Sequence, residues 1–147
     1  MRRRLAASCG GGSGGTVPLW YRLLNCGFRL PASAGTDCFL NRVRSRLPGG
    51  DRVYVQVDGN FTYGKWIDGL RAGKSFVTNG PMLELSVDDK QIGETVKLSR
   101  ASEIRVKGLA AAQFPLNRVE LVYNGKVVST GRLTQDKLQS VIDEKLK

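Results

Sequence analysis

From Lys74 onward the apolar residues recur at every second position, and that period leaves few fold classes open. Ser75-Phe76-Val77-Thr78 reads as a strand, and Asn79-Gly80-Pro81 turns the path. Residues 82–87 place Leu83, Leu85 and Val87 on one face. Asp88-Asp89-Lys90-Gln91 suits a hairpin connection, and residues 94–98, 103–106 and 118–123 are three further strand candidates. Asn124-Gly125 is the strongest hairpin signal in the chain. It predicts a type I′ turn into residues 126–129, because both central residues of that turn need positive φ. Short strands at this spacing argue for a sandwich-like β module.

Upstream the period is mixed. Residues 52–58 alternate, with Val53, Val55 and Val57 on one side and Arg52, Tyr54, Gln56 and Asp58 on the other. Asp58-Gly59-Asn60 turns the chain. Thr62 then caps a helix whose Tyr63, Trp66, Ile67 and Leu70 follow i, i+3, i+4, i+7 spacing, and Gly73 ends it. Gly64 and Gly69 each weaken that helix by about 1 kcal/mol relative to alanine. Residues 17–26 form a short amphipathic helix pattern with Gly27 as its C′ residue. Residues 28–34 read as a buried strand interrupted by Pro31, and residues 38–51 as a loop containing the Pro48-Gly49-Gly50 turn. At the far end Leu138, Val141, Ile142 and Leu146 suit a helix capped by Thr134, with a strand as the alternative. The fold class is therefore α+β with a mostly β second half.

Charge divides the chain. Residues 1–46 contain eight arginines and one acid, Asp37, so they hold +7 of the formal +10. No helix-turn-helix, finger or RNA-recognition pattern accompanies them, and no stacking aromatic series is interleaved, so no specific nucleic-acid motif is present. A solvated basic tail is the simplest account, and an anionic-substrate patch is the functional one. Residues 1–16 are Arg-rich, then Gly/Ser-rich, and predict a disordered leader. Leu5-Ala6-Ala7-Ser8 is too short for a signal peptide, which needs roughly 7–15 apolar residues. No membrane span is visible, and the default location is the cytoplasm. Cys9, Cys26 and Cys38 have no Cys-x-x-Cys spacing, and the chain has no histidine to complete a zinc site. Cys26 reads as a small buried side chain. Cys38 sits beside Asp37 without a nearby base.

One stretch carries more than architecture. Leu30-Pro31-Ala32-Ser33-Ala34-Gly35-Thr36-Asp37 delivers a single carboxylate from a tight Gly-Thr turn. By local pattern alone Asp37 caps the next turn. The stretch also resembles the last metal-site segment of the PHP (polymerase and histidinol phosphatase) metal-dependent hydrolases, in particular the carbaryl-hydrolase-like CehA/McbA group. A second block, Phe61-Thr62-Tyr63, Trp66 and Gly69-Leu70-Arg71-Ala72-Gly73-Lys74-Ser75-Phe76-Val77-Thr78-Asn79-Gly80-Pro81, is similar to the segment joining that group's catalytic domain to its C-terminal β region. The two together cover residues 20–130.

The resemblance implies a particular organisation: leader 1–16, remnant of a PHP-type α/β barrel 17–82, β-sandwich-like module 83–133, and a C-terminal helix or truncated strand 134–147. It implies a divalent metal (zinc, manganese or iron) that lowers the pKa of bound water for phosphoester, ester, amide or carbamate hydrolysis. Asp37 would be one metal ligand, and Arg29 a weak candidate for orienting an anionic substrate. Thr78 and Asn79 fall in the second block but read first as turn residues. The pattern departs from the family at one point: where Gly-Ser/Thr-Asp-x-His is usual, the chain has Gly35-Thr36-Asp37-Cys38-Phe39, with Phe39 at the histidine position. The resemblance thus implies the C-terminal part of a hydrolase, catalytically incomplete and holding no metal tightly, with Trp20, Phe28 and Leu30 incompletely covered and self-association through apolar surface expected. The alternative is a non-enzymatic β-rich binding module with a basic N-terminal tail.

Overall fold

The structure is a computed structural model that describes residues 5–9, 16–100 and 102–147. Two helices and ten strands alternate along the chain among these residues: β1 (Leu5–Cys9), α1 (Thr16–Asn25), β2 (Arg52–Val55), α2 (Tyr63–Arg71), β3 (Ser75–Thr78), β4 (Met82–Val87), β5 (Lys90–Gln91), β6 (Ile104–Ala111), β7 (Val119–Tyr123), β8 (Lys126–Thr130), β9 (Arg132–Leu133) and β10 (Gln139–Leu146). Every strand pairing is antiparallel. The class is α+β. The chain forms two compact units, the described parts of Met1–Leu30, Pro81–Gln91 and Thr95–Lys147, and Pro31–Gly80 with Ile92–Glu94.

The first unit holds two sheets, β5-β4-β6-β10-β9 and β1-β7-β8. In β6 the residues alternate: Ile104, Val106 and Ala110 are buried, while Arg105, Lys107 and Leu109 are exposed. These meet Val119 and Leu121 of β7, Ile142 of β10 and Leu116, with Leu83, Leu85 and Val87 of β4 packed at the margin. One core is thus lined from both sheets, an arrangement compatible with a sandwich-like module. Asn124 and Gly125 have φ of +51° and +78°, as a type I′ turn between β7 and β8 requires. Asp88 and Asp89 (φ +47° and +61°) turn β4 into β5 in the same way without a glycine. The helix α1 ends in a Schellman motif: Phe28 N–H donates to Leu23 O, Gly27 N–H to Leu24 O, and Gly27 has φ +98°.

Several expectations fail here for identifiable reasons. Of the two readings of 134–147, the strand forms and the helix does not: β10 pairs along all eight of its residues with β6. The spacing of Leu138, Val141, Ile142 and Leu146 fits a helix, but in the strand Ser140, Ile142 and Leu146 turn inward and Val141 outward. Thr134 caps no helix. Its hydroxyl accepts from Gln139 N–H at 3.1 Å in the turn between β9 and β10. Residues 94–98 form no strand. After β5 the chain turns at Gly93 (φ +84°), where a Cβ would lie 2.8 Å from the Lys74 backbone nitrogen. Residues 28–34 form no strand either. Pro31 lacks the N–H a ladder needs, and the Leu30 and Ala32 carbonyls accept instead from Trp20 Nε1 (2.8 Å) and Ser75 Oγ (3.4 Å). Phe28 and Leu30 are exposed and Trp20 is half-buried. Within the expected leader, Leu5–Cys9 is strand β1 and pairs with β7, from Leu5 opposite Tyr123 to Cys9 opposite Val119. Residues 1–4 and 10–15 of that leader lie outside the described residues.

The second unit is smaller: β2 and β3 pair as a ribbon, with Tyr54 and Phe76 stacked across it at 5.3 Å, and α2 lies against β2. Thr62 caps α2, its hydroxyl accepting from Lys65 N–H at 3.2 Å. Gly73 (φ +76°) closes it, with Lys74 N–H donating to Gly69 O. Trp66 and Leu70 are half-buried. The buried position is Gly69, where a Cβ would stand 2.6 Å from Val55 Cγ1 and 3.0 Å from Gln56 O. A residue that weakens the isolated helix is therefore what lets the helix reach the ribbon.

Two outcomes follow. Gly69→Ala gains helix propensity but pushes α2 off β2, and the net expected loss is about 1–2 kcal/mol. Segment-resolved hydrogen exchange over 52–78 reads it, and an unchanged or slower exchange would contradict the packing. The second outcome concerns acid. Arg105 donates from Nε and Nη2 to the two Asp143 oxygens at 2.7 and 2.6 Å and holds that carboxyl below the ordinary aspartate range. Asp136 is lowered too, by the Thr134 hydroxyl and then the Leu138 N–H. A carboxyl depressed in the folded state contributes stability above its unfolded pKa of about 3.9 and loses it as pH falls through the folded value. The urea midpoint of the first unit should therefore fall below about pH 4, and less steeply in Asp143→Asn.

Candidate functional site

The segment that carries Asp37 is built from its neighbours inward. Thr36 is one of the few buried polar residues, 8% exposed. Its hydroxyl accepts from Asp51 N–H and donates to Asp51 O, both at 3.2 Å. Asp51 immediately precedes β2, so the ribbon anchors Thr36 and the excursion between them closes as a loop. Gly50 completes the closure. Its N–H donates to Leu47 O at 3.1 Å across a turn with Pro48 at i+1 and Gly49 (φ +80°) at i+2, the type II pattern. Gly35-Thr36-Asp37 therefore alternates roles: Thr36 faces in, and Asp37, at φ +48°, stands exposed on the outside. Aspartate tolerates this left-handed conformation better than most residues.

Around Asp37 the chemistry is sparse. Cys38 is half-buried and a free thiol. Cys26, expected to be buried, is an exposed free thiol just past α1, because the Schellman turn leads the chain outward there. Phe39 N–H donates to Ser45 Oγ at 2.6 Å, and the Arg42 guanidinium lies 4.4 Å from the Phe39 ring centre. Among the described residues no three or more His, Cys, Asp or Glu side chains come together as a metal group would require. A PHP-type site needs several ligands on separate strands, and one exposed carboxylate does not make it. The described residues do not form such a cluster by themselves. Arg29 is exposed and belongs to the first unit, while Asp37 belongs to the second.

The second motif block resolves into structure-bearing residues. Thr78 Oγ1 accepts from Gly80 N–H at 2.9 Å, a local turn bond that leaves Thr78 and Asn79 as turn formers. Lys65 Nζ donates to the carbonyls of Asp58 and Asn60, each at 3.2 Å, and so ties α2 to the turn that precedes it. Lys74 pairs with Asp58 at 3.1 Å.

Two features escape sequence reasoning. One is the Thr36–Asp51 tie, whose partners lie 15 residues apart. The other is the outward display of Leu40, Val43 and Leu47, each more than four-fifths exposed. A visible signal existed for the second: three aliphatic residues in a stretch with no strand or helix period to bury them. No helix among the described residues is long and apolar enough to cross a membrane. Comparison with models of protein families, with curated proteins and with solved structures finds no match.

Thr36→Val removes both hydrogen bonds and leaves the Asp51 amide without its partner. The expected cost is about 1–3 kcal/mol, seen as faster exchange at the Asp51 amide and through β2. Asp37→Asn, at an exposed position, should change stability by less than about 0.5 kcal/mol. A reversed order would mean that Asp37, not Thr36, holds the turn.

Proposed function

We propose that the chain is the C-terminal part of a PHP-type metal-dependent hydrolase of the CehA/McbA group, and that alone it is not a catalyst. The observation that carries this reading is the Gly35-Thr36-Asp37 segment, in which a buried threonine is followed by one exposed carboxylate in the order the family motif has. The α2 block follows it, and the antiparallel β-rich residues come after that, in the sequence order the family resemblance implies. Asp37 would contribute one oxygen ligand to a cluster whose other ligands lie outside these residues. With Phe39 in the histidine position and no histidine in the chain, no hydrolytic step is assigned to it.

The second reading is a non-enzymatic binding module. It is favoured by the core around Val106, Leu121 and Ile142, which is built from apolar side chains of both sheets of the first unit.

Metal content and turnover separate them. The 147-residue chain, assayed with zinc, manganese or iron on phosphoester, ester and carbamate substrates, should give only the metal-ion background. Expressed together with an upstream, histidine-bearing reading frame, it should hold stoichiometric metal, and Asp37→Asn should lower both metal content and turnover. Turnover by the chain alone that Asp37→Asn abolishes would overturn the incomplete-enzyme reading. An upstream frame without a histidine-rich PHP segment would remove the family assignment and leave the binding module.

A further inference from the structure

Between Thr36 and Asp51 the second unit extends a loop whose core reads Phe39-Leu40-Asn41-Arg42-Val43-Arg44-Ser45-Arg46-Leu47. Its foot is pinned. Thr36 and Asp51 are joined by hydrogen bonds, Phe39 N–H donates to Ser45 Oγ, and Arg46 pairs with Asp51 at 2.8 Å. Two successive turns, Arg42 N–H to Phe39 O and Ser45 N–H to Arg42 O, set the path between. With the backbone held in this way, the aliphatic side chains point into water. Leu40 is 88% exposed, Val43 fully exposed and Leu47 82% exposed. Single exposed aliphatics are ordinary, but three within eight residues form a cluster that calls for an occupant. The arginines alternate with them. Arg46 is engaged by Asp51 and Arg42 lies against Phe39, while Arg44 has no charged partner among the described residues. Acids stand only at the ends, Asp37 and Asp51, with none between.

We propose that the loop 39–47 docks on the surface of an anionic lipid bilayer. Leu40, Val43 and Leu47 enter the boundary between headgroups and acyl chains, and Arg42 and Arg44 meet the headgroup charges. Aliphatic tips set among arginines suit this partner because a bilayer takes apolar side chains one at a time, without shape complementarity, while its anionic face attracts the cations. Single-stranded nucleic acid suits them less, since its bases gain from stacking on aromatic faces, and Phe39, the one aromatic residue of the loop, already has the Arg42 guanidinium over its ring. A stable protein partner needs roughly 800 Å² from each side, more than a few side chains on one short loop supply. Attachment through three aliphatic residues and two arginines is weak and reversible. The proposal is independent of the hydrolase reading, because it uses neither Asp37 as a ligand nor any metal.

The test is co-sedimentation of the whole chain with phosphatidylcholine vesicles, with and without phosphatidylserine. Binding to the serine-containing vesicles should exceed binding to the neutral ones. The double variant R42Q/R44Q should weaken it about 25-fold, near fivefold for each arginine. L40S/V43S, which keeps every charge, should weaken it about tenfold or more. Val43→Trp should shift its emission to shorter wavelength on the anionic vesicles. All these positions are exposed, and hydrogen exchange over 52–78 checks that each variant keeps its fold. Absence of binding to anionic vesicles overturns the proposal. So does binding that neither double variant alters, which would place it on the chain's other arginines. Binding that needs the arginines, ignores L40S/V43S and is competed away by single-stranded DNA would identify a polyanion site instead.

Discussion

The pairing of β6 with β10 is the constraint on which the first unit depends. It is an eight-residue antiparallel ladder, from Ile104 opposite Leu146 to Ala111 opposite Gln139, and β6 also carries β4 on its other edge. Its register decides which side chains reach the core. A slip of one residue would turn Val106 and Ile142 to solvent and bring Arg105 and Asp143 inward. In the observed register the core receives Val106 from β6, Ile142 from β10 and Leu121 from β7, and the outer face receives the Arg105–Asp143 pair. Val106 and Leu121 are completely buried. Each such side chain contributes about 1.5–3 kcal/mol, so the ladder and the apolar core select the same register.

The second unit is held differently. Among its described residues only Thr36 and Gly69 are buried, so large apolar side chains supply little of its stability. What replaces them is close backbone approach and local hydrogen bonding: the Gly69 contact with β2, the two Schellman-type bonds after α2, the Thr36–Asp51 tie and the Lys65 bonds to the Asp58 turn. Each is worth about 1 kcal/mol, and none compensates for the loss of another. Regions built this way open at lower free energy than a packed core. Asp37 and the loop 39–47 both belong to this unit.

The Thr36–Asp51 tie fixes the backbone next to Asp37 and leaves the Asp37 carboxylate in water. A membrane-docking loop needs apolar side chains that the fold declines to bury. The pinned foot of loop 39–47 keeps Leu40, Val43 and Leu47 from collapsing onto it. The same short excursion between Thr36 and Asp51 holds the carboxylate at one end and the apolar side chains in the middle.

Local chemistry was legible in the sequence. The Asn124-Gly125 turn, the strands β3, β4 and β7, the first four residues of the alternating stretch 52–58 (β2), the Thr62 cap and the Gly27 and Gly73 helix ends all formed where their residue types require, because each depends on neighbours within a few positions. Choices that depended on distant partners were not. Residues 139–146 fit a helix by spacing and became a strand because β6 offered a long unpaired edge. Leu5–Cys9, dismissed with its Gly-rich surroundings, pairs with β7, more than a hundred residues away. Residues 28–34 and 94–98 had strand composition but no ladder to join, and Gly69 looked like a weak point until β2 was seen against it. Thr36 gave no sign that Asp51 would bury it. Propensity and turn chemistry are properties of a few adjacent residues, whereas pairing, burial and exposure belong to whichever surfaces the chain brings together, and only the tertiary structure decides those.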